Sequence, residues 1–231
     1  MEIKELFNKY GIDLTGTQEK QFNDYYNLLI EENGKYNLTA ITEKNDVFIK
    51  HFLDSVLPCN HFKDNTTILD IGAGAGFPSI PLAILKPNIN FTLIDSVNKK
   101  VNFINMAKNL LNLNNIIAIH TRCEDFAKQN RENFDYVVAR AVANMNTLLE
   151  YMTPFAKVNG EIVLYKGDNY LQEVEDSKNV LKMFHVKQLD VYHYDIENGI
   201  AVRNILIYQK MEKTNPKYPR SGNKPRLDPL K

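Results

Sequence analysis

Three glycines at alternate positions, Gly72, Gly74 and Gly76, follow Asp70 in the stretch ILDIGAGAGFPSIPLAI, residues 68–84. Glycine tolerates positive φ and lets a ligand approach backbone N–H groups closely. A helix opening just after Phe77 would point its positive dipole end at the same place. Asp95 lies 25 residues beyond Asp70, at the end of the next β-rich run. A carboxylate there can accept hydrogen bonds from two ribose hydroxyls, as in dinucleotide-binding folds, and can equally cap the helix that follows. Further along, Arg140 and Lys166 each end a β-rich run and so should face the same cleft. Arg140 is a candidate contact to a cofactor or a target nucleotide and the one candidate catalytic residue. Lys166 could meet phosphate or simply be solvated. His51 and Asp54 are three apart on a helical stretch, close enough to share a hydrogen bond or to enter the cleft together. No nucleophile–base dyad stands out. Pro58-Cys59 resembles a nucleophilic cysteine motif but lies in a helical region, where a core cysteine is the better reading.

These residues need a scaffold that brings strand ends together. From Thr66 onward, short β-rich runs alternate with helical ones: TTILDI, NFTLID, IIAIH, FDYVVAR and GEIVLYKG are strands, separated by helices such as VNKKVNFINMAKNLLNL and NMNTLLEYMTPFAK. RCEDFAKQN stays ambiguous. Such alternation implies βαβ units and a parallel sheet covered on both faces. The end differs: two long alternating runs joined at Asn198-Gly199 read as a hairpin whose last strand is antiparallel. Strands are expected at about 66–71, 90–95, 116–119, 134–139, 160–166, 185–194 and 201–209. The region 1–62 reads as a helical extension. Phe22, Tyr25, Tyr26, Leu29 and Ile30 mark one buried face, Thr17 is a plausible cap, and Gly34 should end or bend that helix. Residues 63–210 then form the α/β core, and 211–231 a basic tail, within one structural domain.

Composition narrows the class. The chain has 231 residues, 44% hydrophobic and 24% charged, which suits a globular protein with a sizeable core. No apolar run approaches a membrane span, and no signal peptide is evident, so a cytoplasmic protein is expected. Two cysteines, Cys59 and Cys123, make neither a disulfide framework nor a metal site. Nothing demands more than a monomer. The zero net charge hides a tail of seven Lys/Arg against two acids over residues 210–231. Its prolines argue against a packed element. It reads either as a solvated terminus or as a basic arm along phosphate.

The glycines are spaced G-x-G-x-G, with Phe77 where a dinucleotide fingerprint needs its third glycine. This disfavours a nicotinamide oxidoreductase. It resembles motif I of S-adenosylmethionine-dependent methyltransferases, whose Rossmann-like seven-stranded sheet also ends in an antiparallel hairpin. That resemblance places Asp70 near the methionine amino group, and Cys123 and Glu124 where these folds hold adenine. Five stretches together, YNLTAI (36–41), KHFLDSV (50–56), LDIGAGAGFPSIPLAI (69–84), DYVVARAVANMNTLLEY (135–151) and LYKG (164–167), are similar to the glucose-inhibited-division protein B family, small-subunit (16S) ribosomal RNA guanine-N7 methyltransferases. The tail NPKYPRSGNKPRLDPLK resembles the family's basic C-terminus.

The resemblance implies cofactor contacts at Gly72, Phe77, Cys123, Glu124 and Arg140, with Asp95 added on physical grounds. It implies small-subunit ribosomal RNA, free or in the subunit, as partner, with Asn37 and Thr39 on the substrate side. Cys123 and Ser79 depart from the small residues usual at those places. RNA binding would draw on Lys166 and on Lys217, Arg220, Lys224 and Arg226 of the tail. Removing 211–231 is then expected to weaken RNA binding and spare cofactor binding. A methyltransferase with another substrate, or a non-catalytic RNA-binding assembly factor, remain the alternatives.

Overall fold

The computed structural model describes residues 2–197 and 199–231; the Asn198 half of the expected turn lies outside them. Seven strands form one sheet, ordered β3-β2-β1-β4-β5-β7-β6. They are β1 (Thr67–Ile71), β2 (Asn90–Asp95), β3 (Ile116–His120), β4 (Phe134–Arg140), β5 (Ala156–Lys166), β6 (Val186–Ile196) and β7 (Ala201–Lys210). The first five are parallel, and β7 runs antiparallel to both β5 and β6. The expected strands are therefore all present. One boundary differs: β5 begins at Ala156, inside the stretch read as helix, because Phe134 pairs with Ala156 before a register shift.

Strand alternation sorts the core into two layers. Ile68, Tyr136, Val138, Val163, Tyr165, Ile205 and Ile207 face one way. Leu69, Val137, Ala139, Ile162, Leu164 and Leu206 face the other. The second face is covered by α8 (Met145–Met152), α9 (Tyr170–Asp176) and α10 (Lys178–Met183). The first is covered by α5 (Ser79–Leu85), α6 (Asn98–Leu110) and the N-terminal region.

That region comprises α1 (Ile3–Asn8), α2 (Gly16–Tyr36), α3 (Lys44–Val47) and α4 (Asp54–Val56). Its aromatic residues are a structural part of the core: Phe7 meets Phe22 edge-on at 5.1 Å, and Tyr25 stacks on Phe52 at 5.1 Å. The α2 cap is Thr15, not Thr17. Thr15 and Gln18 form a reciprocal capping box, satisfying two N–H groups that a lone hydroxyl could not. Gly34 neither ends nor marks the end of α2, which runs on to Tyr36 and stops where Asn37 adopts a left-handed conformation. Between α3 and α4 the chain is π-helical, Phe48–Leu53. Such wide turns recur at functional sites, and this one carries Lys50 and His51.

The tail is the main departure from expectation. Thr214, Tyr218 and Pro225 are buried. Tyr218 packs edge-on against Phe184 at 4.9 Å. The Arg131 guanidinium donates to the carbonyls of Thr214, Asn215 and Tyr218, which supplies the hydrogen bonds that an irregular, proline-interrupted backbone cannot make for itself. Arg220 pairs with Glu150, which is fully buried and would otherwise be an uncompensated charge. Prolines exclude a regular element here, but they do not exclude packing. The chain ends with one short turn, α11 (Lys224–Leu227).

Candidate active site

The parallel register aligns the carboxyl ends of the strands. Asp95 is level with His120, and Arg140 with Tyr165. Strand order reverses between β1 and β4, where open α/β sheets bind ligands. Two adjacent clefts open there and share Ala141.

The first, about 290 Å³, is lined by Gly72, Asp95, Lys100, Arg122, Cys123 and Glu124, among others. Cys123 and Glu124 open α7 (Cys123–Phe126), the short helix in the ambiguous stretch. The Cys123 thiol is held well above its ordinary pKa by burial, so it is inert. Asp95 is nearly buried and accepts from the backbone N–H of Gly74 at 3.0 Å and of Val97 at 2.9 Å. It thus ties the glycine turn to the residue before α6; the N-cap position itself is Val97, so Asp95 does not cap the helix as expected but braces its approach. The three glycines all have positive φ: 70°, 60° and 93°. Gly74 and Gly76 do not line the cleft with Gly72; they shape the turn behind it.

Asp70 lies beneath that turn, lining neither cleft. Both its carboxylate oxygens are buried without a hydrogen bond, and so is the Ser79 hydroxyl. Burial raises the Asp70 pKa to about 7, against smaller lowering by nearby Ser79 and Arg140. Ser79 is therefore more than a tolerated replacement on the first turn of α5: it is a buried, unpartnered hydroxyl near an orphaned acid.

The pH dependence of this arrangement has a definite sign. The unfolded carboxyl titrates near ~4. Between there and about 7 the folded state holds the extra proton, so stability falls as pH rises through that window. Asp70→Asn removes the effect. Its melting temperature relative to wild type should climb between about pH 5 and pH 8, reflecting on the order of 4 kcal/mol at most. Titrations elsewhere are common to both proteins and cancel. Parallel curves for the two proteins would contradict an uncompensated Asp70.

The second cleft, about 420 Å³, is lined by Lys50, His51, Asp54, Arg140, Lys166 and Arg203, with Tyr165 and Glu173. Arg140 sits at its centre. Nη1 donates to Asp54 Oδ2 at 2.7 Å, and the guanidinium lies 4.8 Å from the Phe77 ring centre. The His51 ring stacks on Phe77 at 4.7 Å. Phe77 is thus a buried platform for the second cleft rather than a wall of the first. Asp54 is 1% exposed and also pairs with Arg203 Nε at 3.0 Å. Arg203 comes from β7, and no local pattern marks it as a partner of Asp54; only the fold brings the hairpin to this edge.

His51 Nδ1 faces Arg140 Nη2 at 3.3 Å. Nδ1 also lies 3.2 Å from the Lys50 carbonyl, and Nε2 lies 2.7 Å from Thr39 Oγ1, so either neutral tautomer finds partners: Nδ1 accepting from Arg140, or Nδ1–H donating to Lys50. Burial, then Arg140, lowers the His51 pKa to about 4. Lys166 is buried and paired with Glu173 at 2.7 Å, so it is not a solvated lysine waiting for phosphate. Asn37 caps α2 and reaches neither cleft. In the tail, Arg220 is committed to Glu150, Lys217 lies over the Tyr218 ring, Lys224 is exposed, and Arg226 lines the first cleft.

Periodicity marks Tyr25 only as a core position, yet its hydroxyl donates to the Ala75 carbonyl inside the glycine turn. Among the described residues no cluster of three or more His, Cys, Asp or Glu is arranged to hold a metal. Likewise no helix among them is long and apolar enough to cross a membrane.

The profile of the family described as rRNA small subunit methyltransferase G matches residues 18–201. The ribosomal RNA small subunit methyltransferase G of Streptococcus gordonii is 44% identical over 234 residues, covering 99% of this chain and 98% of its own. That of Clostridium botulinum is 41% identical, covering 96% and 94%. Among solved structures, a SAM dependent methyltransferase from Aquifex aeolicus superposes with a TM-score of 0.55 at 17% identity, over 72% of this chain and 94% of that one. M. jannaschii TYW2 in complex with AdoMet gives 0.53 at 19% identity, over 70% and 77%. The structural likenesses establish a Rossmann-like methyltransferase fold. The sequence matches, nearly end to end, go further: the chain belongs to the rRNA small subunit methyltransferase G family.

Proposed function

We propose that the protein transfers a methyl group from S-adenosylmethionine to N7 of a guanine in small-subunit ribosomal RNA. The cofactor carries an ammonium, two ribose hydroxyls and an exocyclic amine, all hydrogen-bond donors. The first cleft offers acceptors to match two of these groups: Asp95 for the hydroxyls and Glu124 for the amine. When bound, the cofactor supplies an electrophilic methyl on a cationic sulfur. In the second cleft Lys166 is neutralised by Glu173 and Lys50 by Asp46, which leaves Arg140 and Arg203 against the single carboxylate of Asp54, a local excess of positive charge suited to a nucleotide.

The observation that carries the N7 assignment is that, among the described residues lining the second cleft, the imidazole and both carboxylates are already engaged, Glu173 by Lys166. His51 is neutral with a pKa of about 4, held by Thr39 and Arg140. Asp54 is locked between two arginines. Asp70, raised to about 7, lines neither cleft. Guanine N7 has a free lone pair in the major groove and needs no deprotonation. The task left to the protein is alignment of nucleophile and methyl, which fixed stacking and ion pairs can perform. Arg140, in the second cleft and next to the Ala141 that both clefts share, orients the target, and the Phe77–His51 stack backs it.

Single-turnover methyl transfer should therefore be flat between about pH 6 and about pH 8.5. A limb of unit slope in that range would indicate a general base and contradict the N7 reading. A ribosomal RNA substrate supports a cytoplasmic site of action.

A further inference from the structure

The outer wall of the first cleft is not made by the sheet. Asn223 and Arg226, from the last turn of the chain, stand there opposite Asp95 and Glu124. The Asn223 backbone N–H donates to Glu124 Oε1 at 3.1 Å. One carboxylate oxygen is thereby fixed, and Oε2 carries no hydrogen bond among the described residues. The Arg226 backbone N–H donates to the Asn223 carbonyl at 3.1 Å, while its side chain is exposed on the rim and makes no hydrogen bond or ion pair among the described residues. The segment presenting these two residues is anchored at several points. Arg220 makes a two-pronged pair with buried Glu150, at 2.9 Å for both Nε–Oε1 and Nη2–Oε2. Thr147 Oγ1 donates to the Pro225 carbonyl at 2.8 Å, and Arg220 also holds the Asp228 carbonyl at 2.7 Å. A free basic arm would need none of these contacts.

We propose that the C-terminal segment is a working wall of the cofactor cleft, in which Asn223 positions the Glu124 carboxylate for the adenine amine and Arg226 closes the rim over the adenosine. This rests on S-adenosylmethionine as the ligand of that cleft. Asp95 accepts from hydroxyls, and Glu124 accepts from an amine. A guanidinium over a purine face adds a cation–π contact. The expectation that the tail serves RNA and spares the cofactor is thereby reversed.

Coupling is reciprocal: if the segment strengthens cofactor binding, the cofactor must hold the segment in place to the same degree. Hydrogen exchange on the intact protein tests this without any variant. Saturating S-adenosylhomocysteine should slow exchange of amides in 221–228 by ~10-fold or more. Deleting residues 221–231 leaves the Arg220–Glu150 anchor intact. That variant should bind S-adenosylhomocysteine ~10-fold or more weakly. It should also lose the wild-type preference for S-adenosylhomocysteine over S-inosylhomocysteine, which has an oxo group in place of the amine. Arg226→Ala should weaken binding ~3- to 10-fold and keep the preference.

A wall that merely supports the fold would not move that preference. Unchanged exchange at saturating ligand overturns the proposal, as does a truncated chain with wild-type affinity and preference. If the truncated chain does not fold, the exchange measurement decides. Intact protein that binds no S-adenosylhomocysteine overturns the cofactor assignment itself, a separate outcome from binding without any effect of the tail.

Discussion

Arg140→Ala is expected to lower kcat/KM for methyl transfer by roughly 100-fold or more, with a smaller loss of thermal stability. The side chain is only 12% exposed and ends β4 where the two clefts meet. It neutralises Asp54, faces His51 Nδ1 and lies over Phe77. Removing it leaves Asp54 with Arg203 alone and takes away a fixed cation beside the reacting position. Breaking one partner of a buried pair typically costs ~3–5 kcal/mol, because the other charge stays buried. Here Arg203 relieves part of that cost, so the protein should still fold. Arg140→Lys keeps the charge but not the planar fork that reaches Asp54 while lying over Phe77. It should recover ~10-fold at best. Steady-state kinetics, cofactor titration and melting curves on the three proteins separate the contributions. An alanine variant within ~3-fold of wild type would remove Arg140 from the mechanism.

The second large effect belongs to the glycine turn and should split its members. A Cβ at Gly76 would sit 2.3 Å from Ile80 Cδ1 and 3.2 Å from the Tyr25 hydroxyl, at φ 93°. Ile80 and Tyr25 are both fully buried, so neither can retreat cheaply. Left-handed strain of ~1–2 kcal/mol adds to overpacking of ~1–3 kcal/mol. Gly76→Ala is thus expected to destabilise the protein by about 3 kcal/mol and to abolish measurable cofactor binding at micromolar concentrations. At Gly74 the same methyl group would meet only the Gly72 carbonyl, at 3.9 Å. Gly74→Ala should therefore lose only the conformational part, about 1 kcal/mol. Thermal or urea unfolding of both variants checks the contrast, and equal losses would mean that the packing behind the turn does not matter.

That packing explains what could and could not be read from the residue order. The strands were legible because β-branched alternation is local and each strand is flanked by turn residues or a helical period. The glycine turn, Asp95 and the paired Cys123-Glu124 were legible for the same reason: each marks a strand end. Thr15-Gly16-Thr17-Gln18 holds a local signal, the Thr15–Gln18 capping box, that is out of register with Thr17. The π-helical turn at Phe48–Leu53 carries no local signature, since it depends on what the aromatic side chains pack against.

Tyr25, Arg131 and Arg203 act through partners 50, 87 and 149 residues away or nearly so, and no periodicity encodes such pairings. The tail shows the limit of composition most clearly. Its prolines and charges describe a solvated chain, while Arg131 and Glu150, far off in sequence, hold it in place.

The most direct test of the account is methyl transfer from labelled S-adenosylmethionine to small ribosomal subunits taken from cells lacking this protein, followed by digestion of the RNA to nucleosides. The account predicts label in 7-methylguanosine, released from the small-subunit RNA. Label in a base methylated on an exocyclic amine or a ring carbon, or label confined to protein, would contradict it, because the described acids of the second cleft are already paired with Arg140, Arg203 and Lys166.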